Sequence, residues 1–240
     1  MALINSVLTD FVYSEILNMI LSLQIKPGER IREDLLAEKL GVSRTPVREA
    51  VNRLTQNGFI TSIKRKGLYC VEVTQKDLCD LLDLRKALES LSFFKCIDIA
   101  TEKQLEHFHE IIQDFHSKFN AIIRHTTDST PAEISLLHND YDIRFHVGIA
   151  AISSSTRLIK YINEVENLLL IARQRIYKSS ESTNIVLLSW KQHEFILEAL
   201  CARDKNAAAS MLDEHLMLMK KTQVEVDEKE NTSQNYAVSK

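Results

Sequence analysis

The segment from Gly41 to Leu54 constrains the fold of this chain more than any other, because its apolar and polar residues separate onto two faces of a helix. Four apolar residues with the helical spacing i, i+3, i+4 and i+7 form one face: Val47, Ala50, Val51 and Leu54. The opposite face carries Arg44, Thr45, Arg48 and Asn52. Ser43 is placed to cap the first turn, and Pro46 falls where a missing N–H costs nothing. The segment therefore predicts a short helix with two arginines near its N-terminus.

This helix has two interpretations that its own residues support equally. It could enter the major groove of DNA by its N-terminal end, or it could be a surface helix with solvated arginines. The preceding sequence favours DNA. An amphipathic helix is predicted at 5–23, and Pro27-Gly28 then breaks the chain. A second helix is predicted to begin at Glu33 and to end at Gly41, which gives two helices joined by a tight turn, as in a helix-turn-helix.

A basic β-hairpin is predicted after the helix, which Asn57-Gly58 ends. Two β-prone runs at 59–63 and 68–73 are joined by three cations and a glycine, namely Lys64, Arg65, Lys66 and Gly67. Such a tip can reach a phosphate backbone or an adjacent minor groove. The alternative is a hairpin tip that only adds solubility, and the neighbouring helix-turn-helix makes the DNA interpretation the stronger one.

The distribution of charge supports a small nucleic-acid-binding module. The whole chain has a net charge of −3, which excludes a generally basic protein. Residues 41–69 nevertheless hold six Lys/Arg against one Asp/Glu. A local basic patch on a mildly acidic protein is typical of a DNA-binding domain attached to a domain with another task.

The remaining composition predicts a mostly helical, soluble and cytoplasmic protein. Only five Gly and three Pro interrupt 240 residues, of which 45% are hydrophobic. The four cysteines show no CxxC pairing, which indicates free thiols in a reducing compartment. We find no secretion leader and no apolar run of about 18 residues, so we expect no membrane association.

Residues 10–73 of the predicted N-terminal domain (1–73) resemble the winged-helix domain of the GntR family. The resemblance rests on Pro27-Gly28-Glu29-Arg30-Ile31 and on the run from Leu36 to Ala50. It implies a bacterial transcription factor that binds an inverted-repeat operator as a homodimer, with Arg44, Thr45 and Arg48 on the operator and Gly67 shaping the wing. Some members carry an arginine where this chain has Asp34, so that contact is in doubt. The predicted DNA-binding residues are Ser43, Arg44, Thr45, Arg48, Asn52, Lys64, Arg65, Lys66 and Gly67.

A second, all-helical domain is predicted at 75–224, directly after the wing and almost without a linker. Apolar periodicity indicates six helices that form an antiparallel bundle, near 75–100, 102–125, 131–152, 155–179, 185–202 and 205–224. Residues 225–240 are polar and aperiodic, which predicts a disordered tail.

Ionisable residues within the apolar stripes predict a metal site in this bundle. His193 and His215 lie 22 residues apart on either side of a predicted turn at 203–204, so an antiparallel pair of helices brings them level. Asp142 and His146 share one face of another helix at i and i+4. A lone histidine of this kind would be a satisfied core residue, but three with an aspartate favour a Zn²⁺-type site. The other five histidines are expected on the surface: His107, His109, His116, His125 and His138.

The helical domain resembles the FCD ligand-binding domain of the FadR subfamily, in its six-helix, VanR-like branch. The matching stretches are 84–89, 142–146, 193–196 and 215–216. The resemblance implies a divalent metal, Zn²⁺ first and Ni²⁺ or Mn²⁺ as alternatives, on Asp142, His146, His193 and His215. It also implies a small carboxylate effector bound by the metal and by an arginine, which Arg85 matches and for which Arg173 is a weaker candidate. Arg85 could instead form a structural i, i+4 pair with Glu89.

The sequence therefore predicts a metabolite-responsive DNA-binding regulator, and the resemblance favours a repressor that its effector releases. Two alternatives stay open. The metal could itself be the signal or be purely structural. A metal-dependent enzyme is a more remote alternative, since an open coordination position could activate water but no HExxH or similar spacing supplies a general base.

Overall fold

The computed structural model describes residues 2–124, 130–177 and 182–238, which form nine helices and three short strands. The first part of the chain contains α1 (Ala2–Leu21), β1 (Arg30–Ile31), α2 (Glu33–Leu40), α3 (Arg44–Gln56), β2 (Ile60–Ile63) and β3 (Gly67–Cys70). The second part contains α4 (Gln75–Ile99), α5 (Glu102–Arg124), α6 (Thr130–Ile152), α7 (Thr156–Tyr177), α8 (Ser182–Cys201) and α9 (Lys205–Val238). Among the described residues, no helix is long and apolar enough to cross a membrane.

The chain divides into two compact units, with Gln75 as the first residue of the second. Unit one comprises Met1–Thr74 with the Asn167–Gln174 segment of α7, and unit two comprises Gln75–Glu166 and Arg175–Lys240. The expected fold class, a winged helix-turn-helix followed by a helical domain, is confirmed.

The first unit is a helix-turn-helix whose turn depends on Gly41. This residue has φ +66°, a left-handed conformation that glycine adopts at no steric cost, and its N–H reaches the carbonyls of Ala37 and Glu38. The α3 helix begins two residues after the last residue of this turn, Val42. Its predicted apolar face is fully buried, with 0% exposure for Val47, Ala50, Val51 and Leu54.

Polar contacts from α1 hold the outer side of α3 at helical intervals. Thr9 Oγ1 donates to Glu49 Oε2 at 2.9 Å, and Arg53 Nη1 contacts Asp10 Oδ1 at 2.5 Å. Four residues later, Asn57 Nδ2 donates to Tyr13 Oη at 2.8 Å. These contacts pair Arg53 with α1, whereas Arg44 and Arg48 near the N-terminus of α3 are exposed.

The wing is a three-stranded antiparallel sheet in the order β1-β3-β2, and only its hairpin was predicted. Ile63 pairs with Gly67 next to the turn of the hairpin, while Arg30 of β1 pairs with Tyr69. Gly67 has φ +112°, and a Cβ built there would lie 3.3 Å from Arg30 Nε. Both observations explain why a glycine stands at this position.

Six helices follow the wing, and apart from the end of α9 their described boundaries fall within three residues of the predicted ones. The exception is α9, which continues to Val238 although we predicted a helix end near 224 and an irregular tail. No Gly or Pro follows Arg203, and Glu, Lys and Gln are good helix formers, so nothing in the sequence stops the helix there. The predicted helix end near 179 lies outside the described residues.

An aromatic cluster forms the centre of the second unit around Trp190, which is fully buried. The indole stacks on Phe115 with ring centroids 3.9 Å apart, and Tyr141 and Phe145 contact it edge-on. Its Nε1–H donates to His138 Nδ1 at 2.9 Å. The prediction that His138 is a surface residue was therefore wrong, because the indole satisfies the imidazole within the core.

Candidate DNA-binding surface and metal centre

The predicted DNA-binding residues are almost all exposed in the first unit. Exposed side chains are found at Ser43, Arg44, Thr45, Arg48, Asn52, Lys64, Arg65 and Lys66, and Gly67 is half-buried. Ser43 occupies the N-cap position of α3 with extended backbone, but its hydroxyl makes no capping hydrogen bond. The N-terminus of α3 thus combines helix N–H groups that lack a side-chain cap with two arginines, an arrangement that attracts phosphate and base acceptors.

Two further arginines, which were not among the predicted contacts, lie near two of these residues. Arg30 and Arg32 line a surface cavity of about 620 Å³ together with Arg44 and Gly67. Arg32 Nη2 contacts Asp34 Oδ2 at 2.9 Å, and this hydrogen bond lowers the pKa of the Asp34 carboxyl. Arg30 belongs to the motif from Pro27 to Ile31 on which the family resemblance rests, whereas Arg32 gave no sequence signal.

Four side chains that were predicted to bind a metal come together in the core of the second unit. Asp142 and His146 project from α6, His193 from α8 and His215 from α9, with exposures of 1%, 0%, 0% and 5%. One potential ligand atom from each lies within 4.8 Å of the others. The rings of His193 and His215 have centroids 4.5 Å apart, as their spacing about the α8–α9 turn predicted.

The separations of the ligand atoms match a single metal ion. Nε2 of His193 lies 2.9 Å from Nε2 of His146 and 3.3 Å from Oδ1 of Asp142, and the His146–Asp142 pair is 3.7 Å apart. Ligand atoms about 2.0–2.1 Å from a tetrahedral ion would be about 3.3 Å apart. In two of the imidazoles, Nδ1 also has a partner that fixes the orientation of the ring. Nδ1 of His146 faces Glu89 Oε2 at 2.8 Å, and Nδ1 of His215 faces Gln192 Oε1 at 3.3 Å.

Arg85 of α4 lies against this cluster and contacts three carboxylates. Its Nε is 2.7 Å from Glu89 Oε1 and 2.8 Å from Glu166 Oε1, and its Nη2 is 3.6 Å from Asp142 Oδ2. All of these groups are at most 2% exposed. The cluster therefore holds three carboxylates against one guanidinium, an excess of two negative charges when every carboxylate is ionised.

Burial shifts the protonation of two groups in the cluster. Desolvation raises the pKa of the Glu89 carboxyl, with the nearby Asp142 charge acting in the same direction against Arg85. Desolvation lowers the pKa of His215 well below its usual value, and the neighbouring His193 and His146 add to that effect. His215 is therefore a neutral imidazole at physiological pH, which is the form that binds metals.

Several members of the cluster were not predicted. Glu166 gave only a weak signal, as a carboxylate within the apolar stripe of Ile162, Val165 and Leu169. Gln192 gave none. Arg173 belongs to the α7 segment that groups with the first unit and is 4% exposed, so it is not part of a solvated face. Its role towards an effector stays a prediction. Of the five histidines expected on the surface, His125 lies outside the described residues.

Comparison with known proteins identifies the family. The model for the FCD domain matches residues 80–217, and the model described as bacterial regulatory proteins, gntR family, matches residues 8–70. An uncharacterized HTH-type transcriptional regulator of Bacillus subtilis, YdhC, is 30% identical over 196 residues, which is 82% of each chain. The chain belongs to the GntR family of transcriptional regulators and carries an FCD domain.

Other members of the GntR family align along most of the chain. The Nta operon transcriptional regulator of Aminobacter aminovorans is 29% identical over 198 residues, covering 82% of this chain and 86% of its own. The solved structure of Escherichia coli McbR/YncC superposes with a TM-score of 0.70 at 21% identity, covering 92% of this chain and 98% of its own. A GntR structure from Rhodococcus gives 0.67 at 18% identity, with 90% and 97% covered. These structures support the fold alone.

Proposed function

We propose that this GntR-family regulator is a cytoplasmic homodimer that represses transcription from an inverted-repeat operator and senses a small organic acid through a divalent metal. The observation that carries the proposal is the buried cluster of Asp142, His146, His193 and His215, whose ligand atoms converge within 4.8 Å. Three imidazoles and a carboxylate suit Zn²⁺ first, with Ni²⁺ or Mn²⁺ as alternatives.

The charge of the cluster supports the metal. Burying an excess of negative charge is costly unless a cation balances it, and a divalent ion would offset the two negative charges that remain around Arg85 when every carboxylate is ionised. When bound, the ion would act as a Lewis acid that takes an exogenous carboxylate in a coordination position beyond the four protein ligands. A purely tetrahedral Zn²⁺ would instead be closed, which is the structural alternative.

Arg85 is the residue through which binding of the effector would change the conformation of the helical domain. Its guanidinium now contacts Glu89 on its own helix and Glu166 on α7, both through Nε, and an effector carboxylate that binds it would compete with these carboxylates for the same positive charge. Releasing Glu166 would remove a buried contact between α4 and α7. Because α4 follows the wing directly, a shift of this helix is the route by which effector binding would change operator affinity.

Zn²⁺ should stabilise the metal-free protein, and the stabilisation should require the cluster. We expect the free energy of unfolding to rise by about 2.7 kcal/mol when free Zn²⁺ is 100-fold above its dissociation constant. His193→Asn with His215→Asn should abolish this rise, whereas His107→Asn, at an exposed ring, should keep it. The only tryptophan, Trp190, lies 4.5 Å from His193 between ring centroids, so its fluorescence gives a second titration readout. A rise that persists in the double variant contradicts the ligand assignment.

A panel of hydroxy acids and sugar acids separates the effector hypothesis from its alternatives. Under the proposal, an acid shifts thermal stability only when metal is present, and the shift disappears in Arg85→Met. If metal alone changes operator binding, the ion is the signal. If metal changes only stability, it is structural. Turnover of an acid by the purified protein would instead favour the metalloenzyme, for which the sequence supplies no general base.

The exposed arginines of α3 should account for most of the operator affinity. We expect Arg44→Ala with Arg48→Ala to weaken binding at least about 30-fold, because each arginine that contacts a base contributes about 1–3 kcal/mol. Binding is measured by fluorescence anisotropy on a duplex selected from a random-sequence library. Lys103→Ala with Lys160→Ala removes the same charge from exposed positions of the helical unit and should change binding little. Equal losses in both double variants would sink the assignment of the DNA-binding surface.

A further inference from the structure

The outward face of α4 carries an apolar stripe that its own chain leaves exposed. Leu84 and Leu91 are 49% and 47% exposed, and the small, exposed Ala87 lies between them. Asp80 and Lys95 extend the same face by about one turn at each end, since positions 80, 84, 87, 91 and 95 follow the helical period. Two large leucines one heptad apart on a soluble helix indicate a surface that another molecule covers.

The charged residues at the two ends of this stripe have no ion-pair partner within the part of the chain that the structure describes. There, Asp80 and Lys95 form no ion pair, although both are exposed. Other charged residues of α4 do find partners, since Lys86 Nζ contacts Asp213 at 2.9 Å and Asp98 contacts Lys205 Nζ at 2.7 Å. The stripe thus carries an available anion at its N-terminal end and an available cation at its C-terminal end.

The pattern is symmetric about a point between Ala87 and Leu88. Leu84 and Leu91 are equally far from this midpoint, and so are Asp80 and Lys95. A twofold axis through the midpoint would place Leu84 against Leu91 of an antiparallel copy and Asp80 against its Lys95, each contact occurring twice. We propose that α4 packs antiparallel on α4 of a second copy about this axis, and that this pair is the centre of the homodimer in the proposed function, on which the inference rests.

The neighbouring surface and the small central residue suit such a pairing. Ala87 at the axis allows two helices to approach to about 8 Å, the short end of the usual range. The ion pairs Lys86–Asp213 and Asp98–Lys205 show that α9 runs antiparallel to α4, which brings the 48% exposed Met217 level with Leu84. Met217 is thus an exposed apolar residue near this level of α9, and an interface of more than about 1,000 Å² needs apolar surface beyond a single helix.

The proposed pair also gives a spacing that suits DNA. Gln75, the first residue of α4, lies about 12 residues from the axis, so the two Gln75 residues would be about 38 Å apart along the helix direction. Half-sites one turn of B-DNA apart are separated by about 34–36 Å. A rigid α4 pair would thus set the separation of the two points from which the DNA-binding units depart.

Charge reversal in a self-complementary pair gives a sharp test. Asp80→Lys places a lysine opposite Lys95 at both symmetric contacts, and Lys95→Asp places an aspartate opposite Asp80 at both. Each variant alone should therefore raise the dimer dissociation constant about 10- to 100-fold. Mixing the two variants should restore a dimer, because every chain then meets the opposite charge. The double variant Asp80→Lys/Lys95→Asp should also dimerise.

The control for this series is Glu110→Lys on α5, an exposed position with the same change of charge as Asp80→Lys. It should leave the dimer dissociation constant unchanged, because α5 lies outside the proposed pair. Sedimentation equilibrium measures the two single variants, their mixture, the double variant and this control, and circular dichroism checks their folding.

Each outcome decides the inference. Single variants that dimerise weakly, together with a mixture that dimerises as tightly as the unmodified chain, support the α4 pair. Leu84→Arg should then also give a folded monomer. Single variants that dimerise as tightly as the unmodified chain, or a mixture that stays monomeric, overturn it. In those cases the homodimer of the proposed function survives if the unmodified protein is still dimeric. An unmodified protein that is monomeric at micromolar concentration overturns both.

Discussion

Replacing Arg85 with methionine is expected to lower the free energy of unfolding by about 3–5 kcal/mol, one of the two largest effects of any single substitution considered for this protein. The guanidinium is 2% exposed and contacts Glu89, Glu166 and Asp142. Methionine keeps most of the apolar volume but leaves three buried carboxylates without their cation. Removing one partner of a buried ion pair costs far more than the pair itself contributes, because the remaining charges keep their desolvation penalty.

Urea unfolding in the presence of a chelator measures this loss without contribution from a bound metal. The matched control is Lys86→Met, the adjacent residue on α4, whose ammonium pairs with Asp213 at a site where both side chains are about half exposed. Exposed pairs contribute about 0–1 kcal/mol, so the control should stay within that range. A loss in Arg85→Met no larger than in Lys86→Met would mean that the carboxylates are already neutral in the folded protein.

The surroundings of Arg85 show how far sequence reasoning reaches in the site. Glu89 was predictable as a partner because it stands at i+4 on the same helix, where side-chain contact follows from helical geometry. Glu166 was not, since it comes from a helix 81 positions away, and periodicity does not state which buried faces meet. The same limit explains Gln192, whose contact with His215 depends on how α8 and α9 pack.

Local geometry also explains why the predicted proximity of His193 and His215 was correct and the predicted exposure of His138 was wrong. His193 and His215 flank one short turn, so an antiparallel pair of helices fixes their relative height. His138 has its partner, Trp190, 52 residues away on another helix, and nothing near it in sequence signals that contact. Histidine is intermediate in burial, so without a known partner the sequence favours the surface.

The fold was predictable where a repeating pattern extended over several turns of helix. The apolar faces of α3 and the bundle helices gave their positions to within a few residues, except at the C-terminal end of α9. The strand β1 was not predicted, because Arg30–Ile31 is too short to show an alternation of apolar and polar residues. Only its pairing with β3 makes it a strand. The α4 stripe was visible in the sequence as apolar residues, but the exposure of Leu84 and Leu91 required the structure.

Replacing Trp190 with alanine is expected to lower the free energy of unfolding by about 3–5 kcal/mol and to weaken metal binding as well. The indole is fully buried, stacks on Phe115 at 3.9 Å, and lies 4.5 Å from the His193 ring between centroids. Its removal opens a cavity beside a predicted metal ligand and leaves the imidazole of His138 without its donor. Metal-site geometry depends on the side chains that pack around the ligands, so a looser His193 should lower Zn²⁺ affinity.

Two further substitutions separate packing from hydrogen bonding at this position. Trp190→Phe keeps an aromatic ring against Phe115 but loses the N–H, so it should destabilise the protein less than alanine while still removing the donor to His138. Leu188→Ala, two residues earlier on α8 and 49% exposed, should change stability by less than about 0.5 kcal/mol. Zn²⁺ affinity that stays unchanged in a folded Trp190→Ala protein would show that α8 alone holds His193 in place. The aromatic cluster would then stabilise the bundle without shaping the proposed sensor.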